Sequence, residues 1–257
     1  MSQSLEKTLE STIARQSLRV IHLDSTESTN TLAKELVLTG EKGELLIVAD
    51  SQTLGRGRSG KSFFSPSGRG LYMTQVLRPE FASADFTLIT AAVSVAVSRA
   101  IEKVAGVTPS IKWVNDIFLG GKKLGGILCE SVFSGGGKLS AVIVGIGINL
   151  TGNDFPPELE SIATSLGGKA DRNTLCAEIA KELFSLSDSL YSKTPNKDFL
   201  NYYRSHSCVL GNDITYTRNG QSFSAVALSI LDGGELKVRN SDGSIQILSG
   251  GEISLRL

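Results

Sequence analysis

Gly55-Arg56-Gly57-Arg58-Ser59-Gly60-Lys61-Ser62 satisfies more than one phosphate-holding pattern at once. It fits G-x-x-x-x-G-K-[ST], the phosphate loop of nucleotide triphosphatases, and G-x-G-x-x-G, the dinucleotide-binding turn. It also reads as G-R-G-R-x-G followed by Phe64-Ser65-Pro66 and Gly70-Leu71-Tyr72, a third arrangement suited to anions. The neighbouring residues separate the three. A triphosphatase loop leaves a strand directly and runs into a helix whose N-terminus holds the phosphates. Here Gln52-Thr53-Leu54 stands between the preceding apolar run and the loop, and Pro66 with Gly68 and Gly70 opposes a helix after it. The dinucleotide pattern fails on the same ground, because its third glycine should open a helix inside a βαβ unit and no such unit frames it.

Outward from this loop the chain alternates apolar runs and helical spacings. Val20 to Leu23 suits a short strand. Ser25 to Asn30 is rich in capping side chains and leads into Leu32, Ala33, Leu36 and Val37 at helical spacing, closed by Gly40. Glu44 to Asp50 reads as a buried strand, Ser51 to Gly70 as a long functional loop, and Leu71 to Leu77 as a strand again. A helix is expected from about Ala84 to Val104. Strand segments follow at Ile111-Trp113, Asp116-Leu119, Lys122-Glu130 and Leu139-Asn149, with Gly120-Gly121 as a hairpin turn. Helical spacing returns at Asn173 to Leu190, ending before Pro195, and again around Phe199-Tyr203. From Cys208 onward short strands alternate with turns at Asn219-Gly220, Asp232-Gly233-Gly234 and Asp242-Gly243, which predicts a small, barrel-like all-β unit. The expected organisation is a short N-terminal helical extension over residues 1–16, an α+β domain over 17–205 and a small β domain over 206–257.

Composition narrows the function classes. With 26 Lys plus Arg against 26 Asp plus Glu, the chain has no general pull toward nucleic acid or anionic membrane, so phosphate affinity must be local. Cys129, Cys176 and Cys208 are far apart with no C-x-x-C spacing, which reads as reduced thiols packed as small hydrophobes. Residues 1–16 mix charges with few apolar positions and do not resemble a secretory signal. The most apolar stretch, Leu88 to Val97, is about ten residues long and too short to span a bilayer. The expected setting is the cytoplasm, without membrane contact. His22 and His206 are isolated, so no His/Cys metal cluster and no catalytic histidine is expected.

Eight stretches, in this order, carry a resemblance to biotin protein ligases. They begin with Ser28-Thr29-Asn30, Gln52 with Gly55-Arg56-Gly57-Arg58, Phe64-Ser65-Pro66 and Gly70-Leu71-Tyr72. They continue with Lys112-Trp113-Val114-Asn115-Asp116, Lys123-Leu124-Gly125-Gly126-Ile127-Leu128, Gly145-Ile146-Gly147-Ile148-Asn149 and Gly250-Gly251-Glu252-Ile253-Ser254. The resemblance implies an α+β catalytic domain built on a mixed β-sheet, shared with lipoate ligases, and a small SH3-like β-barrel at the C-terminus. It also implies the reaction: ATP and biotin are condensed to biotinyl-5′-AMP, and biotin passes to a lysine of a biotin carboxyl carrier protein, a carboxylase subunit.

The implied chemistry fits these residue types. Attack of a carboxylate on the α-phosphate brings two anions together, and arginine forks flanked by glycines can gather them. The resemblance therefore assigns Arg56, Arg58 and Lys123 to catalysis, with Lys123 between the biotin carboxylate and the α-phosphate. Read alone, Lys122 and Lys123 are equally solvated turn residues after Gly120-Gly121. Ser28, Thr29, Asn30, Gln52, Arg56, Gly57, Arg58, Lys123, Gly125 and Gly126 are the implied biotin contacts, although Ser28-Thr29-Asn30 also suits a plain helix cap. Arg56, Arg58, Phe63, Asn115, Asp116, Lys123 and Asn149 are the implied ATP contacts. Asp116 is a candidate for Mg2+, which takes carboxylate and phosphate oxygens, and an Asn-Asp turn explains the same residue without metal. The glycine-rich loop is expected to close over the adenylate and shield it from water.

Three positions depart from the family pattern. Val114 stands where Lys-Trp-Pro-Asn-Asp has proline, Phe63 stands where some members stack a tryptophan on adenine, and Ser59 lacks a positive charge, leaving Lys61 to supply it. Some members carry an N-terminal winged-helix domain. Only about sixteen residues precede the first expected strand here, so sequence-specific DNA binding is not expected. A lipoate or octanoate ligase and a non-catalytic biotin sensor are the alternatives, and monomer and homodimer both stay open.

Overall fold

Alternating burial shows that the large sheet is covered on both faces. In the strand Glu44–Ala49, Leu45 and Ile47 face one apolar layer while Leu46 and Val48 face another, and all four are buried. The structure is a computed structural model that describes residues 2–13, 18–78, 86–133, 139–152, 154–190, 198–218, 220–251 and 253–255. Its elements run α1 (Ser2–Thr12), β1 (Leu18–Leu23), α2 (Thr29–Leu38), β2 (Glu44–Ala49), β3 (Gly70–Leu77), α3 (Phe86–Ala105), β4 (Ser110–Lys112), β5 (Asp116–Leu119) and β6 (Lys122–Phe133). They continue with β7 (Leu139–Asn149), α4 (Pro157–Glu160), α5 (Arg172–Leu190), α6 (Phe199–Ser205), β8 (Asp213–Arg218), β9 (Gln221–Ile230), β10 (Leu236–Asn240), β11 (Ile245–Leu248) and β12 (Ile253–Leu255). Ala84, Pro195, Asn219 and Glu252, expected at a helix start, beyond a helix end, in a turn and in the closing motif, lie outside the described residues, as do 1 and 14–16 of the N-terminal extension.

Seven strands form one mixed sheet in the order β1-β2-β3-β7-β6-β5-β4, with β1 and β2 parallel and the remaining neighbours antiparallel. Leu71, Met73 and Leu77 of β3 and Val142, Val144 and Ile146 of β7 face the large core with α3 and α5. On the opposite face α2 sets Ala33 and Val37 against Leu45, Ile47, Val76, Ile143 and Val132. The helix starts where its sequence predicts: Ser28 is extended and its side chain accepts from the Thr31 amide. It covers only part of this face. Thr74, Gly126, Gly145 and Gly147 share the face by strand alternation, and the three glycines border a cleft.

The entry to the loop is pinned by charge. Asp50, one residue past β2, accepts from Arg172 at 2.5 Å and lies 2.8 Å from His22 Nε2, and the Arg172 fork also donates to the Ala49 carbonyl. Thus β1, β2 and the start of α5 meet one residue before the loop begins. Burial by itself would push the Asp50 carboxyl up, but the bonds from Arg172 and His22 outweigh it and hold its pKa below the ordinary value.

The C-terminal strands form a second sheet, in the order β11-β10-β9-β8-β12, antiparallel throughout. The expected SH3-like barrel is not formed. Closure needs the two edge strands to hydrogen-bond, yet β11 pairs with β10 and the three-residue β12 with β8, and among the described residues no pairing joins β11 to β12. Instead Ile253 and Ser254 of β12 border the cleft, while β11 exposes Ile245 and Ile247 on the outer edge. The buried residues of this sheet are continuous with the main core. Trp113 Nε1 donates to Gly234 O at 2.9 Å and Arg204 Nε to Ile230 O at 2.9 Å, which fixes the sheet against the strands that carry the site.

Two outcomes follow for stability. Gln75 is fully buried on the core face of β3, and neither its Oε1 nor its Nε2 finds a hydrogen-bond partner among the described residues. Gln75→Met removes that unmet polarity at similar volume and is expected to be neutral or to raise stability by about 1 kcal/mol in urea denaturation. Arg172→Leu is expected to cost about 3 kcal/mol at neutral pH, because it leaves the Asp50 charge buried with His22 alone. Since the folded Asp50 pKa is depressed, its contribution is complete above the unfolded carboxylate value and is lost as pH falls through the folded one. The stability gap between the two proteins should therefore be smaller at pH 3 than at pH 7; an equal gap at both would contradict this account.

Candidate active site

The floor of the cleft is made of residues with no side chain. A Cβ on Gly145 would lie 2.1 Å from Asn30 Oδ1, and one on Gly147 would lie 2.5 Å from the Phe63 ring. The first turn of α2 and the aromatic ring after the loop can rest on β7 only because these positions are glycine. The resulting cavity of about 210 Å³ is bordered by α2, the loop, β4 to β7 and the C-terminal Gly251, Ile253 and Ser254.

The loop is more ordered than its composition suggests. Phe63 N donates to Gly55 O, Gly57 N to Lys61 O, and Arg56 and Ser62 form an antiparallel bridge, so residues 55–63 make a miniature hairpin. A single 3-10 turn, Arg58–Gly60, sits at its tip, and no α-helix follows through residue 78. The arginines are presented from a hairpin, and no helix N-terminus stands behind them.

One side of the cavity is a run of short polar groups. Gln52 Oε1 accepts from the Thr29 amide at 2.9 Å and from its hydroxyl at 3.1 Å, and Gln52 Nε2 donates to Ser65 Oγ. The Thr74 hydroxyl lies 2.8 Å from that of Thr29 and 2.7 Å from Asn30 Oδ1. Asn30 Nδ2 donates to Leu128 O and Glu130 Oε2, and Glu130 also takes the fork of Arg56 at 3.2 and 3.4 Å. Ser28, Thr29, Asn30 and Thr74 are buried, so these bonds are made away from bulk water.

The other side is cationic. Lys123 Nζ lies 2.7 Å from Asp116 Oδ1, and Lys123 is anchored by its own amide, which donates to Ile162 O. Arg58 donates to Asn115 Oδ1 at 2.9 Å and to Gly251 O at 3.3 Å, so it bridges the Asn-Asp turn and the C-terminal sheet. Asn115 in turn donates to Ile127 O. The peptide between Trp113 and Val114 is cis. Burial pushes the Cys129 thiol, on β6, up to about 12, which leaves it protonated at neutral pH and without nucleophilic character.

Ser28, Thr29, Asn30, Gln52, Arg56, Gly57, Arg58, Phe63, Asn115, Asp116, Lys123 and Gly126 all border this one cavity. Two expected residues do not. A Cβ on Gly125 would point at Gly147 O, 2.4 Å away, so that glycine serves strand packing. Asn149 donates to Thr164 O and borders a neighbouring cavity with Arg69, Tyr72 and Asp154. Lys112 and Trp113 also border the cavity, and Thr74 and Glu130 bond to Asn30 in its lining, although none of the four was singled out from the sequence as a site residue. Glu130 had a local signal, since it lies two residues past Leu128 in the Lys123 motif, whereas Thr74 had none beyond strand alternation. Among the described residues no three His, Cys, Asp or Glu side chains gather as a metal cage.

The family model of biotin/lipoate A/B protein ligases matches residues 22–149. The bifunctional ligase/repressor BirA of Bacillus subtilis is 34% identical over 235 residues, which span 90% of this chain and 72% of that protein. A biotin--[acetyl-CoA-carboxylase] ligase of Paracoccus denitrificans is 39% identical over 144 residues, 55% of this chain and 59% of its own. Among solved structures, the biotin protein ligase of Aquifex aeolicus in complex with biotin and ATP is similar with a TM-score of 0.78 and 30% identity, covering 93% of this chain and 98% of that one. The chain belongs to the biotin/lipoate A/B protein ligase family, among its biotin protein ligases.

Proposed function

We propose that the two sides of this cavity divide one reaction between them. The protein is an ATP-dependent biotin ligase that forms biotinyl-AMP and transfers biotin to an acceptor protein. The polar side around Ser28, Thr29, Asn30 and Gln52 reads the ureido ring, because buried donors and acceptors reject ligands that lack the matching groups. The cationic side collects the biotin carboxylate and the phosphates. A carboxylate oxygen attacks the α-phosphorus, the bond to the β-phosphate oxygen breaks, and pyrophosphate leaves. The acceptor lysine then attacks the acyl carbon, AMP departs, and the amine loses its proton.

The observation that carries this reading is the meeting of Arg56, Arg58 and Lys123 beside the polar set in a single cavity. Lys123, whose ammonium turns from Asp116 to the ligand, neutralises the approaching anions, and Arg58, beside Asn115, holds the polyphosphate. Phe63, packed on Gly147, offers a ring face to the nucleotide, with Asn115 and Asp116 beside it. Asp116 would hold a magnesium ion brought with ATP, which would neutralise charge on the phosphate oxygens. The acceptor we assign is a biotin carboxyl carrier protein. Residues 17–205 form the catalytic domain and 206–257 a C-terminal domain that lends the cleft Gly251, Ile253 and Ser254. Three free cysteines agree with the reducing cytoplasm.

Incubation with ATP, magnesium and either biotin or lipoate tests the reading. Pyrophosphate release with biotin alone is expected; release with lipoate only would point to lipoate ligation, and biotin binding without release would point to a sensor. Lys123→Ala should lower biotin-dependent pyrophosphate release by roughly 100-fold or more while the thermal midpoint stays unchanged. Near-normal release from that variant would remove Lys123 from the reaction.

A further inference from the structure

We propose that Glu130 is a positioning residue of adenylate formation, holding Asn30 and Arg56 as one unit; this rests on the reading of the cavity given above. Glu130 lies on β6 opposite Ile143, and its side chain is only 18% exposed. A carboxylate beside a site that must gather two anions opposes ligand entry, so its presence calls for a compensating task. The geometry supplies two. Its Oε2 accepts from Asn30 Nδ2 at 3.0 Å, and its two oxygens meet the two arms of the Arg56 fork.

Each bond restricts a group with freedom to lose. Asn30 gives its amide donors to Glu130 and Leu128 O and lies by its Oδ1 against the Thr74 hydroxyl. Its amide orientation is thereby fixed, and it can offer a ligand only an acceptor. Arg56 stands on a hairpin between two glycines with 45% of its side chain exposed, where an untethered guanidinium samples many rotamers. The paired bond to Glu130 aims the fork and leaves its other edge to the cleft. The same carboxylate therefore connects the polar run that begins at Gln52 with the loop that carries the arginines.

The two tasks separate by substitution. Glu130→Gln keeps an acceptor for Asn30 but removes the charge that holds Arg56. Biotin affinity without ATP, measured by calorimetry, should then fall less than in Glu130→Ala, while kcat for biotin-dependent pyrophosphate release falls roughly tenfold or more. Glu130→Ala should weaken biotin binding as well, and Glu130→Gln carries the test if the alanine variant does not fold. Because Glu130 acts through Arg56, adding Glu130→Gln to Arg56→Ala should change kcat by less than about threefold. An unchanged kcat in Glu130→Gln, or a full additional loss in the double variant, overturns the proposal while wild-type activity leaves the parent reading standing. Wild-type protein that releases no pyrophosphate with biotin removes both.

Discussion

The hydrogen-bonded run from Gln52 through Thr29, Thr74 and Asn30 to Glu130 and Arg56 is the constraint on which the cleft depends. It joins the start of α2, the middle of β3, the outer part of β6 and the loop, four pieces far apart in the chain. Its central members Thr29, Thr74 and Asn30 are buried, and a buried polar group left without a partner costs about 1–3 kcal/mol. Losing one partner thus disturbs its neighbours as well, which makes the run specify one arrangement of the pocket. Gln75, the neighbour of Thr74 in sequence, shows the contrast: it faces the opposite layer and has no such network.

The apolar structure places that run. Strand alternation sends Leu71, Met73 and Leu77 into the layer beneath α3 and α5, which leaves Tyr72, Thr74 and Val76 on the other face. There α2 covers Val76 and Ile143 but ends its reach where β7 turns to glycine. The helix start then settles on this strip of sheet through Asn30 from one side and the loop hairpin through Phe63 from the other. The charged knot of His22, Asp50 and Arg172 sets where the chain leaves β2, and so where Gln52 and the hairpin begin.

The C-terminal sheet completes the wall from outside. Its last strand pairs with β8 on one side and borders the cleft with Ile253 and Ser254, and Arg58 reaches Gly251 across the gap. A turn-rich β tail read by composition alone suggests a self-contained unit. Its buried side chains instead merge with the main core, and such merging depends on which surface the tail meets.

Much of the fold was legible because local rules decide it. The Ser28 cap, the apolar periods of α3 and α5, the Gly120-Gly121 turn and the absence of a helix after Pro66 are all set by residues near in sequence. Arg56, Arg58 and Lys123 stood out in the sequence because few residue types can gather anions, and they meet at one cavity. What stayed hidden is non-local. Thr74 is an ordinary strand threonine until α2 lies on it, Glu130 an ordinary acid until Arg56 comes within 3.2 Å, and Gly125 and Asn149 share a motif with cavity residues without bordering the same cavity. The sequence alone determined the elements and the stock of reactive groups, since torsional preference and side-chain chemistry belong to single residues and their near neighbours. Which of those groups face one another was decided only by tertiary structure, because strand pairing and helix docking choose the face, and a face is a property of the packed sheet.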